Sequence, residues 1–399
     1  KLATLQAGQF VETGGETVKG DGGQARYLVT VGASPDDSVS PDLANGNHAL
    51  YQGVGAVNDL SQAYIFDTVA LFKASLIEFP DGKTIHLNDR DADFTKITGT
   101  GTANTFNIIA STSVSQSIVL IVSNPIKVTA FGGTSIANSI NRALTYLRAR
   151  ANLVPWTITV PQNPLGAAYD WDEQVDMSDD SWVTLKGDGY IALKATVQMN
   201  AFFIMGISNK NNETDLSYFS CDCFNFVMEA AVITGSIRGV DVHHIELKAT
   251  GTGSYTDGVL VGGDSKHTGA EPGAGNEQST FQHIFDSGDS SVTRDVVHFQ
   301  GGTSLGVIVD NVRGAGEEFG NVVGSRNDSG FYGCSITNIH AILLAERTTK
   351  AQSLVNLKTS VTATKVANLQ VTGNPNTNNV NYGLLVDDLD ITVSSSLHT

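Results

Sequence analysis

The stretch YGCSITNIHAILL, residues 332–344, sets an amide, Asn338, inside a run that is otherwise apolar or small. Burying an amide without partners costs free energy, so the position calls for a reason. Repetition supplies one. The segments FVME after Asn225, DVHHIELK around His244, TFQHIFDS around His283, VIVDNVRG around Asn311, SITNIHAI and KVANLQVT around Asn368 align with Asn or His in one column. The next residue is Phe226, Ile245, Ile284, Val312, Ile339 or Leu369, and in the last five copies the residue two before is Val242, Phe281, Val309, Ile336 or Val366. In a straight strand the positions at minus two and plus one point to opposite faces. Both point inward only if the backbone bends between them. Asn tolerates a left-handed backbone best among non-glycine residues and His is enriched there, while amides stacked on successive turns can bond to one another.

The columns at 225, 244, 283, 311, 338 and 368 are 19, 39, 28, 27 and 30 residues apart. These intervals are too irregular for ankyrin or leucine-rich arrays, but they suit a solenoid whose turns carry unequal loops. The 39 contains GGDSKHTGAEPGAGNEQS, residues 262–279, rich in Gly, Ser and Pro and read as an excursion from one turn. A second strand follows each column: DGVLVGG (257–263), DVVHFQGG (295–302), GNVVGS (320–325), QSLVNLK (352–358) and YGLLVDD (382–388). Two or more strands per turn describe a parallel β-helix; the alternation alone also describes a β-sandwich.

Composition agrees with strands and turns. Only 16% of residues are charged, and Ser, Thr, Asn and Val are prominent. The formal charge of −17 leaves nothing for a counterion-release mode of nucleic-acid binding. No run of eighteen apolar residues suggests membrane insertion and no segment resembles a signal; the chain opens on Lys1 and not Met, which leaves room for sequence upstream. Cys221, Cys223 and Cys334 form neither an even disulfide framework nor a CxxC pair and read as reduced core thiols.

Along the chain, GGETVKGDGGQARYLVTV (14–31) lacks the Lys-Ser/Thr and following helix of a phosphate loop. Residues 64–124 hold a short helix in FDTVALFKASLI, a strand in FPDGKTIHL and strands in FTKITGTGTANTFNII. TSIANSINRALTYLRARA then places Ile136, Ile140, Ala143, Leu144 and Leu147 on one helical face. Such a helix can cover the open end of a solenoid.

GDGGQARYLV followed by LANGNHALYQ resembles the small module near the N-terminus of bacteriophage tailspike and capsule-depolymerase proteins. The succession VTAFGG, helix, ITVP, VTLKGDG resembles the start of pectate-lyase-like β-helices, although the acidic DGVTDDT stretch of that family is absent. The resemblance implies an all-β chain: modules at 1–54 and 55–124, then a right-handed parallel β-helix over 125–399 capped by the helix. It further implies a homotrimeric virion tail protein, assembled in the bacterial host cytoplasm, joined to other tail proteins through the N-terminal modules. Its partner would be a bacterial surface polysaccharide, capsule or lipopolysaccharide, with no cofactor, nucleic acid or membrane.

Columns convert sequence into geometry, because adjacent turns stack at about 4.8 Å. Asp257 and Asp295 begin equivalent strands, with Glu317 or Glu318 near the next equivalent position. Such spacing suits the paired carboxylates of glycosidases, where crowding keeps one carboxyl protonated and another ionised; Asp at a strand start is also an ordinary turn residue. Two residues past the Asn/His column lie Glu246, Phe285, Arg313, His340 and Gln370, an aromatic among polar groups suited to a sugar-binding wall. A lyase could use the same wall, with Arg313 neutralising a uronate and His340 or Tyr332 taking a proton. A receptor-binding spike without catalysis is the third reading. Asp286, Asp289 and Asp310 are reserve acids. His243 and His244 are expected to face apart, which disfavours a metal, and Ser254 and Ser304 lack nucleophile-elbow flanks.

Overall fold

The computed structural model describes residues 10–12, 26–31, 47–51, 64–75, 77–97, 107–150, 155–206, 211–262, 275–287, 292–316, 321–326, 329–343, 352–358, 360–373 and 380–386. The chain divides into two compact units, Lys1–Ser123 with Thr129–Gly132, and Asn124–Val128 with Gly133–Thr399.

The first unit holds an antiparallel three-stranded sheet of Phe10–Glu12, Arg26–Val31 and Asn47–Tyr51. It also holds a five-stranded sheet that includes Thr84–Leu87, Ala92–Ile97 and Ile108–Ala110. The short helix is Val69–Ala74, its first turn capped by Thr68 Oγ1, which accepts from Leu71 N at 3.2 Å. Phe66, Phe72 and Phe79 meet edge-to-face beneath this sheet.

The second unit is a parallel β-helix of three sheets, with ten, nine and six strands. Every pairing in these sheets is parallel, and from Asp215–Asp222 onward each turn contributes a strand to each sheet in order, as Asp241–Lys248, Ser254–Val261 and Gly275–Glu277 do. The third, short sheet was not read from the sequence. The expected helix forms over Ile136–Arg148, where Ser135 Oγ accepts from Asn138 N at 3.1 Å, as an N-cap residue should. Ile140, Ala143, Leu144 and Leu147 are buried, and the helix packs on Val175–Met177 at the first turn. Asn141 fastens it there, donating to Gln174 O at 2.9 Å.

The bend exists. His244, His283, Asn311, Asn338 and Asn368 have φ between 51° and 56°, and at each of them the strand pairing skips one residue. The flanking columns turn inward: Val242, Phe281, Val309 and Ile336, and Ile245, Ile284, Val312 and Ile339, are all buried. Asn338 itself is exposed, so it never incurs the burial cost its neighbours suggested. One alignment fails. The turn before His244 bends at Tyr218 (φ 67°), not Asn225, so that interval is 244 − 218 = 26 residues and not 19. Asn225 instead sits in the next corner, where its Oδ1 accepts from Thr252 N at 3.1 Å. An aromatic ring fills the ladder position as well as an amide does, because the ladder is held by stacking as much as by hydrogen bonds. All three cysteines are free and buried.

Candidate functional site

The outer face of the first sheet carries the ladder. Tyr218 stacks on His244 (4.5 Å between centroids, 16°), and His244 on His283 (4.5 Å, 24°). Asn311 Nδ2 meets His283 Nδ1 at 2.7 Å, Asn338 Nδ2 donates to Asp310 Oδ1 at 2.7 Å, and Asn368 Nδ2 donates to Asn338 Oδ1 at 3.0 Å. Tyr190, 41% exposed, extends the stack edge-on against Tyr218.

The expected wall is in register on the same face. Glu246 pairs with Phe285, Phe285 with Arg313, Arg313 with His340 and His340 with Gln370 on successive turns. The Arg313 guanidinium lies 5.2 Å from the Phe285 ring centroid, a cation–π distance. His340 Nε2 meets Thr372 Oγ1 at 2.8 Å, and burial followed by Arg313 lowers its pKa. Glu246 is taken by Lys248 at 3.0 Å. Tyr332, offered with this wall, belongs to the third sheet, in Ser329–Tyr332.

Sequence reasoning missed a pair of acids on this face. Asp215 and Asp241 are direct partners on neighbouring strands, three residues before the bend. His243 Nε2 lies 3.3 Å from Asp215 Oδ1, an ion-pair distance, and His243 Nδ1 lies 2.6 Å from His244 Nδ1. The two imidazoles therefore do not face apart, because the left-handed backbone at His244 (φ 55°) turns its side chain onto the face His243 occupies. The Asp215 side chain is 32% exposed. Burial raises the Asp241 pKa, His243 opposes it and Asp215 adds to it; Asp241 Oδ1 has no hydrogen-bond partner among the described residues. The His243 pKa is raised, chiefly by its bond to Asp215. A signal was present: Asp215 and Asp241 stand at equal offsets from Tyr218 and His244, but the misaligned first copy hid it.

The acids expected to be catalytic lie on the second sheet. Asp257 and Asp295 are partners on adjacent turns, as their strand starts indicated. They do not line an open groove: their relative exposures are 0% and 2%. Asp257 accepts from Arg294 Nε at 2.8 Å, from Arg294 Nη2, and from Asp295 N at 3.3 Å. Asp295 Oδ1 accepts from Asn321 N at 2.9 Å and Asn321 Nδ2 at 2.7 Å, and its Oδ2 meets His298 Nδ1 at 2.6 Å. Residues three apart meet because the pairing skips at Val296 between them. Gly324 makes the room, since a Cβ there would stand 2.0 Å from Asp295 Oδ2. The position expected for a third acid is filled by Asn321, and Glu317 and Glu318 lie outside the described residues, as does Asp289. Asp286 is buried, and Asp310 accepts from Thr337 and Asn338.

Ala201, Ile204, Ala230, Ile233 and Leu260 form a buried apolar cluster, and Leu260 is the register partner of His298. Burial pushes the Asp257 pKa up to about 6 despite Arg294 and His298. One oxygen of Asp257, one of Asp295 and one nitrogen of His298 lie within 4.8 Å of one another. Arg294 already supplies Asp257 with a cation, with Glu229 3.8 Å from the same guanidinium.

No protein-family model and no curated protein matches the sequence. Solved structures do. Tailspike protein gp49 from Acinetobacter baumannii bacteriophage Fri1, a capsular polysaccharide depolymerase, aligns over 81% of this chain and 62% of its own at TM-score 0.53 and 9% identity. Pantoea stewartii WceF, a glycan biofilm modifying enzyme with a bacteriophage tailspike-like parallel β-helix fold, aligns over 94% and 57% at TM-score 0.37 and 12% identity. The Acinetobacter baumannii phage AM24 tailspike protein aligns over 78% and 66% at TM-score 0.33 and 11% identity. The chain thus spans less than two thirds of each of these proteins. At such identities the likeness is one of fold, and the fold is the tailspike-like parallel β-helix.

Proposed function

We propose that this chain is the β-helical part of a phage tailspike that binds a bacterial surface polysaccharide, capsule or lipopolysaccharide, on the outer face of its first sheet and cleaves it by hydrolysis. The observation that carries the reading is the concentration on one face of an aromatic and imidazole stack, the Glu246–Phe285–Arg313–His340 wall and a partly exposed carboxylate pair. Apolar ring faces stack on sugars while polar groups fix hydroxyls. Asp241, whose pKa burial and Asp215 raise against His243, is the general acid; Asp215, beside His243, is the nucleophile or base. Strands about 4.8 Å apart favour the roughly 5–5.5 Å carboxyl separation of retaining glycosidases. In the same reading the chain forms a homotrimer joined to the virion through its first unit, as the family resemblance of the sequence implies.

A second reading places hydrolysis at Asp257 and Asp295, with Phe285, Arg313, His340 and Glu246 as the substrate wall. Their shared column and the raised pKa of Asp257 favour it; their lack of exposure opposes it, since a catalytic carboxyl must touch its substrate. The deciding experiment incubates the protein with purified bacterial polysaccharides and measures new reducing ends. Asp215→Asn and Asp241→Asn should abolish cleavage while Asp257→Asn and Asp295→Asn, where folded, retain it. The converse pattern establishes the second reading. Unsaturated uronate products mean a lyase, and retention without cleavage means a receptor binder.

A further inference from the structure

Among the described residues Arg313 has no counter-ion, in a chain with 41 acidic and 24 basic residues. Arg148, Arg238 and Arg294 each sit on a carboxylate, of Asp180, Glu277 and Asp257. Among the described residues no carboxylate stands within ion-pair distance of Arg313, and its Nε is shut off from solvent without an acceptor. The guanidinium is held instead over the Phe285 ring, with His340 on the next turn. Neither neighbour on the wall neutralises it. Glu246 is bound to Lys248, and the protonated form of His340 is disfavoured by burial and then by Arg313. The wall therefore carries a local positive charge, fixed in orientation by an aromatic ring, on a strongly acidic protein. An unpaired, half-buried guanidinium is complementary to a planar anion, which it can grip with two parallel N–H bonds.

We propose that Arg313 is a specificity determinant for a carboxylate-bearing sugar, so that the polysaccharide this protein binds is acidic. The inference rests on the glycan-binding reading above and names its substrate class. The sugar's carboxylate bonds to Arg313, its apolar face lies on Phe285, and His340 contributes a neutral donor or acceptor to a neighbouring hydroxyl. A lysine in place of Arg313 would keep the charge and lose the planar fork.

The test uses the full chain and a panel of purified uronate-containing bacterial polysaccharides, each in native and carboxyl-reduced form, with binding followed by calorimetry. Wild-type protein should bind at least one native polymer and bind its carboxyl-reduced form roughly ten- to a hundredfold more weakly, the loss expected for a charge-assisted hydrogen bond. Arg313→Gln, checked for an unchanged melting curve, should weaken the native polymer by the same factor and leave the reduced polymer where it was. Arg313→Lys should fall between. Equal binding of both forms by the wild type overturns the inference while leaving glycan binding intact, as does an Arg313→Gln protein that still discriminates. Failure to bind any polymer, native or reduced, overturns the glycan reading and the inference with it.

Discussion

Replacing Asp257 by Asn should change how stability depends on pH in a direction that its contact with Arg294 alone would not suggest. An ion pair ordinarily depresses a carboxyl pKa, and acid then removes stability. Here burial dominates and the folded-state value stands at about 6 against 3.8 for the free side chain. Between those values the folded chain holds a proton that the unfolded chain has released, so stability falls as pH rises. That span corresponds to about 3 kcal/mol. That contribution is fully present below pH 3.8 and gone above pH 6. Asn cannot ionise, so the variant lacks this slope whatever constant amount it gains or loses from the altered contact. The assay is equilibrium urea unfolding of both proteins at half-unit steps from pH 3.5 to 7. The difference, variant minus wild type, should move in favour of the variant by about 3 kcal/mol across that range. Parallel curves would show that Asp257 does not titrate there. A difference that moves the opposite way would show that Arg294 and His298 outweigh burial, and the argument from desolvation would be wrong.

Other consequences follow from the same contacts. Asn338→Gly keeps the left-handed backbone and loses the bonds to Asp310 and Asn368, a cost of about 1–2 kcal/mol, whereas Asn338→Ala adds about 1–2 kcal/mol of backbone strain. Glycine should therefore be milder than alanine in urea unfolding, the reverse of the order at an ordinary strand position, and equal or inverted losses would contradict the bend. Gly324→Ala forces the Asp295 carboxylate away from His298 and Asn321 and should cost about 3 kcal/mol; in an Asp295→Ala background the same change should cost under about 1 kcal/mol. If cleavage uses Asp241 as its acid, activity should persist above the ordinary carboxylate range, and a wild-type rate lost as pH rises through that range would misplace the roles.

Much of the β-helix was legible because its signal is local. A bend needs a residue that accepts positive φ, with apolar residues at minus two and plus one, and these recur at Asn311, Asn338 and Asn368 in plain sequence. Tyr218 escaped because composition at the bend is not restricted to amides: a ring satisfies the ladder by stacking. The third sheet escaped because strands as short as Ile237–Arg238 have no periodicity to read. The site was legible only as columns. Register between Asp257 and Asp295 followed from their strand starts, but their burial did not, since it depends on what covers the second sheet. Arg294 and His298 stand close to Asp295 in sequence, in TRDVVHF, yet the contact of His298 with Asp295 needs the skipped pairing at Val296, which nothing in that stretch announces.

The bend also explains why the chemistry gathers on the first sheet. A straight strand offers every second residue to solvent. With a left-handed residue at the ladder position, the side chains immediately before it, at it and two after it all leave the core, while those two before and one after enter it. His243, His244 and Glu246 on one turn, and Gln282, His283 and Phe285 on the next, are three outward positions within four residues. Stacking then repeats that density at every turn, and loop length between turns does not disturb it, because register is set within the strands. Intervals of 26 to 39 residues thus coexist with unbroken columns from Asp215 to Gln370. A surface made this way keeps its backbone register when one outward side chain is changed.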